Sequence, residues 1–239
     1  MRIDVIGSAT MVTEESVKGR VAVVIDVLRA TSVMVSALVN GAKQVIPVVS
    51  PEEAFALKEK LGSEVILGGE RDALPIAGFD YGNSPLQYTE EVVEGKTIVM
   101  TTTNGTLAIN NAAAADQLII ASFLNAEAVL QFIEEKEDIA LICSGTDGQF
   151  TLEDALCAGY LIEQLHRQNN NLYLSDMAVA IHQLYKANQQ DMISIASQGK
   201  HYQNLLRKGF VKDLEYCFQI GVLNNVPIRV GGVIKNTTC

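Results

Sequence analysis

Thr97-Ile98-Val99-Met100-Thr101-Thr102-Thr103-Asn104-Gly105-Thr106-Leu107-Ala108-Ile109-Asn110-Asn111-Ala112 reads as a strand, a polar turn and a helix in immediate succession. Thr97 to Met100 is an apolar, strand-like run, Thr101 to Thr106 carries hydroxyls and a glycine, and Leu107 to Ala112 has helical character. Strand-to-helix succession of this kind builds an α/β fold, with a mainly parallel sheet flanked by helices. The turn also presents side-chain donors, free backbone N–H groups and the positive end of a helix together, which suits an oxyanion. Three further polar clusters follow apolar runs: Asp26-Val27-Leu28-Arg29-Ala30-Thr31, Gly68-Gly69-Glu70-Arg71-Asp72 and Ser144-Gly145-Thr146-Asp147-Gly148. All four are expected on one rim of one sheet.

Outward from that stretch, the alternation of strands and helices continues from the start of the chain to about residue 150. The runs Ile3 to Ile6, Val21 to Val27, Gln44 to Val49, Glu64 to Leu67, Gln117 to Ala121 and Ile139 to Cys143 are the other expected strands. Ser50-Pro51-Glu52-Glu53 opens a helix with a capping serine, a proline at the first helical position and a glutamate at the third, and Gly62 closes it. Asn125 is expected to cap a helix running towards Glu135. From Thr151 to about Gly221 the pattern changes to consecutive helices, with Gly199, Gly209 and Gly221 as stops, and Ile228 to Ile234 then returns as one last strand. The chain is expected to form a compact unit over residues 1–239, or two α/β lobes with a weakly marked boundary near 115–150.

The 239 residues carry a net charge of −10, with 48% hydrophobic and 19% charged residues. A globular core is expected, and so is repulsion of a polyphosphate backbone, which argues against nucleic acid as a partner. Any anionic partner is therefore small and locally bound. The longest apolar stretches are too short to span a bilayer, and Met1-Arg2-Ile3-Asp4 carries an acid where a secretion signal would be basic and then apolar. A cytoplasmic protein with no membrane partner follows; a homo-oligomer is the expected assembly on a separate ground, that a neighbouring subunit would complete the polar loops. Cys143, Cys157, Cys217 and Cys239 are scattered without zinc-site spacing, so reduced, buried thiols are expected.

Asp26 ends the most apolar strand, where a carboxylate serves as a metal ligand or a nucleophile, or else caps its own loop and pairs with Arg29. Arg29 offers its fork of donors to a phosphate or sulfonate, and Thr31 is placed to cap the helix ending at Asn40-Gly41. Gly68 and Gly69 allow close backbone approach, followed by an acid and a base in Glu70 and Arg71. In the loop Gly78-Phe79-Asp80-Tyr81-Gly82-Asn83-Ser84-Pro85, Asn83 and Ser84 donate to an oxyanion or cap a short helix. Gly145 and Thr146 follow a strand in the same way, and Glu153 and Asp154 open the next helix, as capping acids or as oxygen ligands. Cys143 lacks the arginine six residues on that a phosphatase thiolate loop requires, since Gln149 stands there, and a buried strand cysteine is expected. His166, His182 and His201 read as ordinary helix residues. The sequence contains no G-x-x-x-x-G-K-[ST], G-x-G-x-x-G, G-x-S-x-G or H-E-x-x-H, and Leu28 occupies the position of the second acid in haloacid-dehalogenase phosphatases.

The ordered set Asp26 to Thr31, Gly68 to Arg71, Gly78 to Pro85, Thr101 to Thr106 and Leu152-Glu153-Asp154 resembles the 2-phosphosulfolactate phosphatase family over nearly the whole chain. The resemblance implies an α/β fold of the family's own and a Mg²⁺-dependent hydrolase that converts 2-phosphosulfolactate to sulfolactate and phosphate in coenzyme M biosynthesis. Beside that resemblance, the residues suggest metal-assisted phosphoryl transfer, with Mg²⁺ held by some of Asp26, Glu70, Glu153 and Asp154. Arg29, Arg71, Thr102, Thr103, Asn104 and Gly105 would bind the anionic groups. A non-catalytic small-anion-binding domain, or a phosphatase or phosphotransferase for another hydroxy-acid phosphate, is the rival reading.

Overall fold

The computed structural model describes residues 1–169 and 171–237, so Cys239 lies outside the described residues. In chain order the first part runs β1 (Arg2–Ile6), α1 (Glu14–Val17), β2 (Val21–Ile25), α2 (Ala30–Val39), β3 (Gln44–Pro47), α3 (Pro51–Leu61), β4 (Val65–Arg71), β5 (Leu74–Pro75), α4 (Glu90–Val93), β6 (Thr97–Thr101), α5 (Gly105–Asn111), β7 (Gln117–Ala121), α6 (Ala126–Ile133) and β8 (Asp138–Cys143). The second part runs α7 (Leu152–Gln168), β9 (Tyr173–Leu174), α8 (Asp176–Asn188), α9 (Met192–Ala196), α10 (Lys200–Arg207), α11 (Val211–Cys217), β10 (Pro227–Val230) and β11 (Val233–Asn236).

All strands join one 11-stranded mixed sheet in the order β5-β4-β6-β3-β11-β10-β7-β2-β8-β1-β9. It has two parallel halves, β4-β6-β3 and β7-β2-β8-β1, with the antiparallel hairpin β10–β11 wedged between β3 and β7. The strand β2 lies deep inside the second half, and Ala22, Val23, Val24 and Ile25 are fully buried, as a strand covered on both faces requires. Its side chains alternate between two cores: Val23 and Ile25 face the cluster built with α6, α7 and α8, and Ala22 and Val24 face the cluster built with α2 and α5. The stop and start signals of α3 act as expected, since Ser50 Oγ accepts from Glu53 N at 3.2 Å and Gly62 adopts φ +85°. In the helical part Gly159 lets α7 and α8 pack closely: a Cβ there would lie 2.5 Å from Tyr185 Cβ.

Four local expectations are corrected. Ile228 to Ile234 is not one strand but a hairpin, because Gly231 and Gly232 both take positive φ and turn the chain back. β4 does not stop at Leu67 but runs to Arg71, since Gly69 lacks the Cβ that would collide with the Thr101 carbonyl of β6. Asn125 does not cap α6 with its side chain. Its Oδ1 accepts from Ser122 N at 2.9 Å, and its Nδ2 donates to Ile120 O and Asn225 O. Finally, β2 ends at Ile25 rather than Val27, which frees the Asp26 loop to turn. Among the described residues no helix is long and apolar enough to cross a membrane.

Candidate active site

Register positions the chemistry. Ile25 of β2 stands opposite Cys143 of β8, so Asp26 and Ser144 leave the sheet side by side, and Gly69 of β4 stands opposite Thr101 of β6. The two halves are of opposite sense, yet residues following the carboxyl ends of strands in both halves line one cavity. Between those ends lies a cavity of about 420 Å³ whose walls include Asp26, Glu70, Thr103 and Gly145.

Asp26 sits on the cavity wall at 7% exposure, with Oδ1 accepting from Ala30 N at 3.0 Å. Burial, the Asp154 charge and the Glu70 charge together raise its carboxyl well above the ordinary range. Thr31 is inside α2, not at its cap. Its Oγ1 accepts from Asp26 N at 2.9 Å and donates to Asp26 O at 2.8 Å, so it braces the loop and does not reach the cavity. Gly105 also acts by being small: a Cβ there would lie 2.7 Å from Asp26 Oδ2, so only glycine lets α5 abut the carboxylate.

Glu70 faces the cavity while Oε1 accepts from the N–H and hydroxyl of Thr103 at 2.8 and 3.0 Å and Oε2 accepts from Ala73 N at 2.7 Å. Arg71 turns away from the cavity and donates to Glu70 O, Val49 O and Thr101 Oγ1. Thr102, Asn104, Thr146 and Asn83 line the wall, and the buried Asn83 Oδ1 has no hydrogen-bond partner. Ser84 instead donates to Asp213 Oδ1 at 2.6 Å.

Arg29 is almost wholly buried yet lines the cavity. It pairs not with Asp26 but with Asp213 of α11, Nη1 to Oδ2 at 2.5 Å, while Nη2 donates to Ala73 O at 2.9 Å and the guanidinium stacks 3.9 Å over Phe210. Those contacts use much of the fork, so Arg29 contributes a fixed positive field to the cavity.

The two acids of α7 take separate parts. Asp154 Oδ1 accepts from Val27 N at 2.8 Å and Oδ2 from Gly145 N at 3.0 Å, so its carboxyl staples the two loops together and does not line the cavity. Glu153 is 2% exposed, its Oε2 has no hydrogen-bond partner, and it lines an adjoining cavity of about 220 Å³. Burial is the main cause that pushes both carboxyls up to about 7; the Glu153 charge adds to it at Asp154, and the Asp26 charge at Glu153.

Sequence reading missed α10. Lys200, His201, Asn204 and Arg207 all line the cavity, and Lys200, Asn204 and Arg207 recur at the four- and three-residue steps of one helix face, a signal present in the sequence. His201 is not an ordinary helix residue: its Nε2 meets Leu28 O at 2.5 Å. A carbonyl only accepts, so Nε2 carries the hydrogen and Nδ1 the lone pair. Burial lowers its pKa below the usual histidine value, which keeps the ring neutral at pH 7. Cys143 is fully buried with its thiol pKa raised by burial, as a structural strand cysteine should be.

Among the described residues no three His, Cys, Asp or Glu side chains form a closed metal-ligand set. The cavity nonetheless suits a hard cation: Asp26 and Glu70 both offer carboxylate oxygens, and Mg²⁺ takes few protein ligands, leaving positions for water and phosphate. Asp154 does not line this cavity and Glu153 lines the adjoining one, so the acids on this wall that can form such a pair are Asp26 and Glu70.

The chain matches the family model described as 2-phosphosulpholactate phosphatase over residues 8–232. A protein of Clostridium perfringens (strain SM101 / Type A) named probable 2-phosphosulfolactate phosphatase is 49% identical over 239 residues, covering 98% of this chain and 96% of the relative. A relative of the same name from Clostridium acetobutylicum is 44% identical over 235 residues, covering 98% of this chain and all of the relative. One from Clostridium tetani is 42% identical over 236 residues with similar coverage. With the match spanning both halves of the sheet and every loop around the cavity, the chain belongs to the 2-phosphosulpholactate phosphatase family.

Proposed function

We propose that this chain hydrolyses the phosphate monoester of 2-phosphosulfolactate to 3-sulfolactate and phosphate, with Mg²⁺ as its cofactor. The observation that carries the reading is the shared wall: Asp26 from one half of the sheet meets Glu70 and the Thr102–Asn104 loop from the other around a single cavity. Two carboxylates beside an anion-binding loop would repel a phosphate on their own. A divalent ion held by Asp26 and Glu70 would neutralise that charge and polarise the phosphoryl oxygens.

The chain's own groups then have distinct tasks. Thr102, Asn104, Thr146 and Asn83 supply neutral polar contacts around the phosphoryl oxygens, and Arg29, fixed by Asp213, supplies positive charge where negative charge develops. Asp26 stands at the reacting centre, as the attacking carboxylate or as the base for an attacking water. The neutral His201, with Nδ1 bare, adds no charge to the cavity. A cytoplasmic location accompanies this reading, in keeping with the buried free thiols of Cys143, Cys157 and Cys217.

The test is phosphate release from 2-phosphosulfolactate with Mg²⁺, after EDTA, and by Asp26→Asn. Turnover that requires the metal and vanishes in the variant supports the reading; ligand binding without any phosphate release would establish an anion-binding protein instead. A rapid quench with labelled substrate separates the two roles of Asp26, since only direct attack leaves label on the protein.

A further inference from the structure

The cations around the cavity are not equivalent. Arg29 is tied to Asp213, Ala73 and Phe210, and Arg71 points away. Lys208 is held by Asp72, with Nζ 2.8 Å from Oδ1 and in contact with the Asp72 carbonyl. Lys200 stands 3.8 Å from Asp147 Oδ2. Arg207 alone among the described cationic side chains on the wall has neither an ion pair nor a hydrogen bond.

Its freedom is not floppiness of the helix that carries it. α10 is fastened near its start by His201 to the Leu28 carbonyl, in its middle by the fully buried Leu205, and just past its end by Lys208 to Asp72. The backbone that carries Arg207 is therefore fixed beside the cavity, while the guanidinium is left for a ligand.

We propose that Arg207 binds the non-reacting sulfonate of the substrate and so sets specificity for a second strong anion beyond the phosphate ester. This deepens the function proposed above and rests on it. A sulfonate is a weakly hydrated, spread-out anion, and it suits the planar, weakly hydrated guanidinium better than the compact ammonium of Lys200. Lys200 and Arg207 lie seven residues apart, about 10 Å along the helix axis, so the two cations approach the cavity from different positions.

The experiment compares Arg207→Met, Arg207→Lys and Lys200→Met on two substrates: 2-phosphosulfolactate, and 2-phospholactate, which lacks the sulfonate. For Arg207→Met the loss in kcat/KM on 2-phosphosulfolactate should exceed the loss on 2-phospholactate by about 10- to 100-fold, mainly through KM, as expected for a lost charge-assisted contact. Arg207→Lys should fall between, and Lys200→Met should affect both substrates alike. Equal losses on the two substrates for Arg207→Met, or discrimination lost in Lys200→Met instead, overturn the assignment. A parent protein that hydrolyses neither substrate defeats the proposed function. Thermal shift then judges Arg207 separately, since sulfolactate should stabilise the parent and not Arg207→Met, and equal responses refute it.

Discussion

A methyl group on Gly105 would place a carbon 2.5 Å from Ala30 Cβ and 2.7 Å from Asp26 Oδ2. Gly105→Ala should therefore push α5 and the Asp26 loop apart, costing about 1–3 kcal/mol of stability and at least about tenfold in kcat. A melting curve beside a turnover assay checks both. Asp213→Asn removes the counter-charge of a buried arginine, for which about 3–5 kcal/mol is the expected loss, read as a lower unfolding midpoint. These two residues differ in how visible they were. Asp26, Glu70 and Thr103 stand at strand ends in polar clusters, which is where the chemistry of a parallel sheet collects. Asp213 sits in a helix with no neighbouring motif, and only folding brings it to Arg29, 184 positions away. Thr31 and Arg71 carried the right chemistry in the right clusters, yet their side chains were consumed by local hydrogen bonds.

At the scale of elements, the strands were legible because β2, β7 and β8 are short apolar runs buried on both faces. The two-residue strands β5 and β9 left no such pattern, and the glycine pair that folds β10 onto β11 was read as the interior of one strand. α10 was legible as a helix but not as a cavity wall, since which face of an amphipathic helix meets the site depends on neighbours far away in sequence. α7 and α8 depend on a contact that only glycine permits. Gly159→Ala should cost about 1–3 kcal/mol, because the new methyl would meet Tyr185 Cβ at 2.5 Å and the Ile181 carbonyl at 2.8 Å. Chemical denaturation checks it, and kcat should change less than in Gly105→Ala, since the contact lies away from the cavity.

For the whole molecule, the buried carboxyls make stability depend on pH in an unusual direction. Glu153 and Asp154 are raised to about 7 in the folded state, and Asp26 is also raised. Their unfolded values are about 4, so between about pH 4 and 7 the folded state binds more protons and stability falls as pH rises. The melting temperature in EDTA should thus be lower at pH 8 than at pH 5.5. Added Mg²⁺ should stabilise more at pH 8, where a cation relieves the charge that protons no longer neutralise. The hairpin β10–β11 carries a different consequence. It is encoded near residue 230 but occupies the middle of the sheet, bonded to β3 on one side and β7 on the other. During translation both half-sheets must leave the ribosome with an open edge facing the gap, and only passage of residue 236 seals it. A nascent chain cut short of the hairpin is expected to stick to others of its kind, so freedom from aggregation arrives only once the hairpin is made.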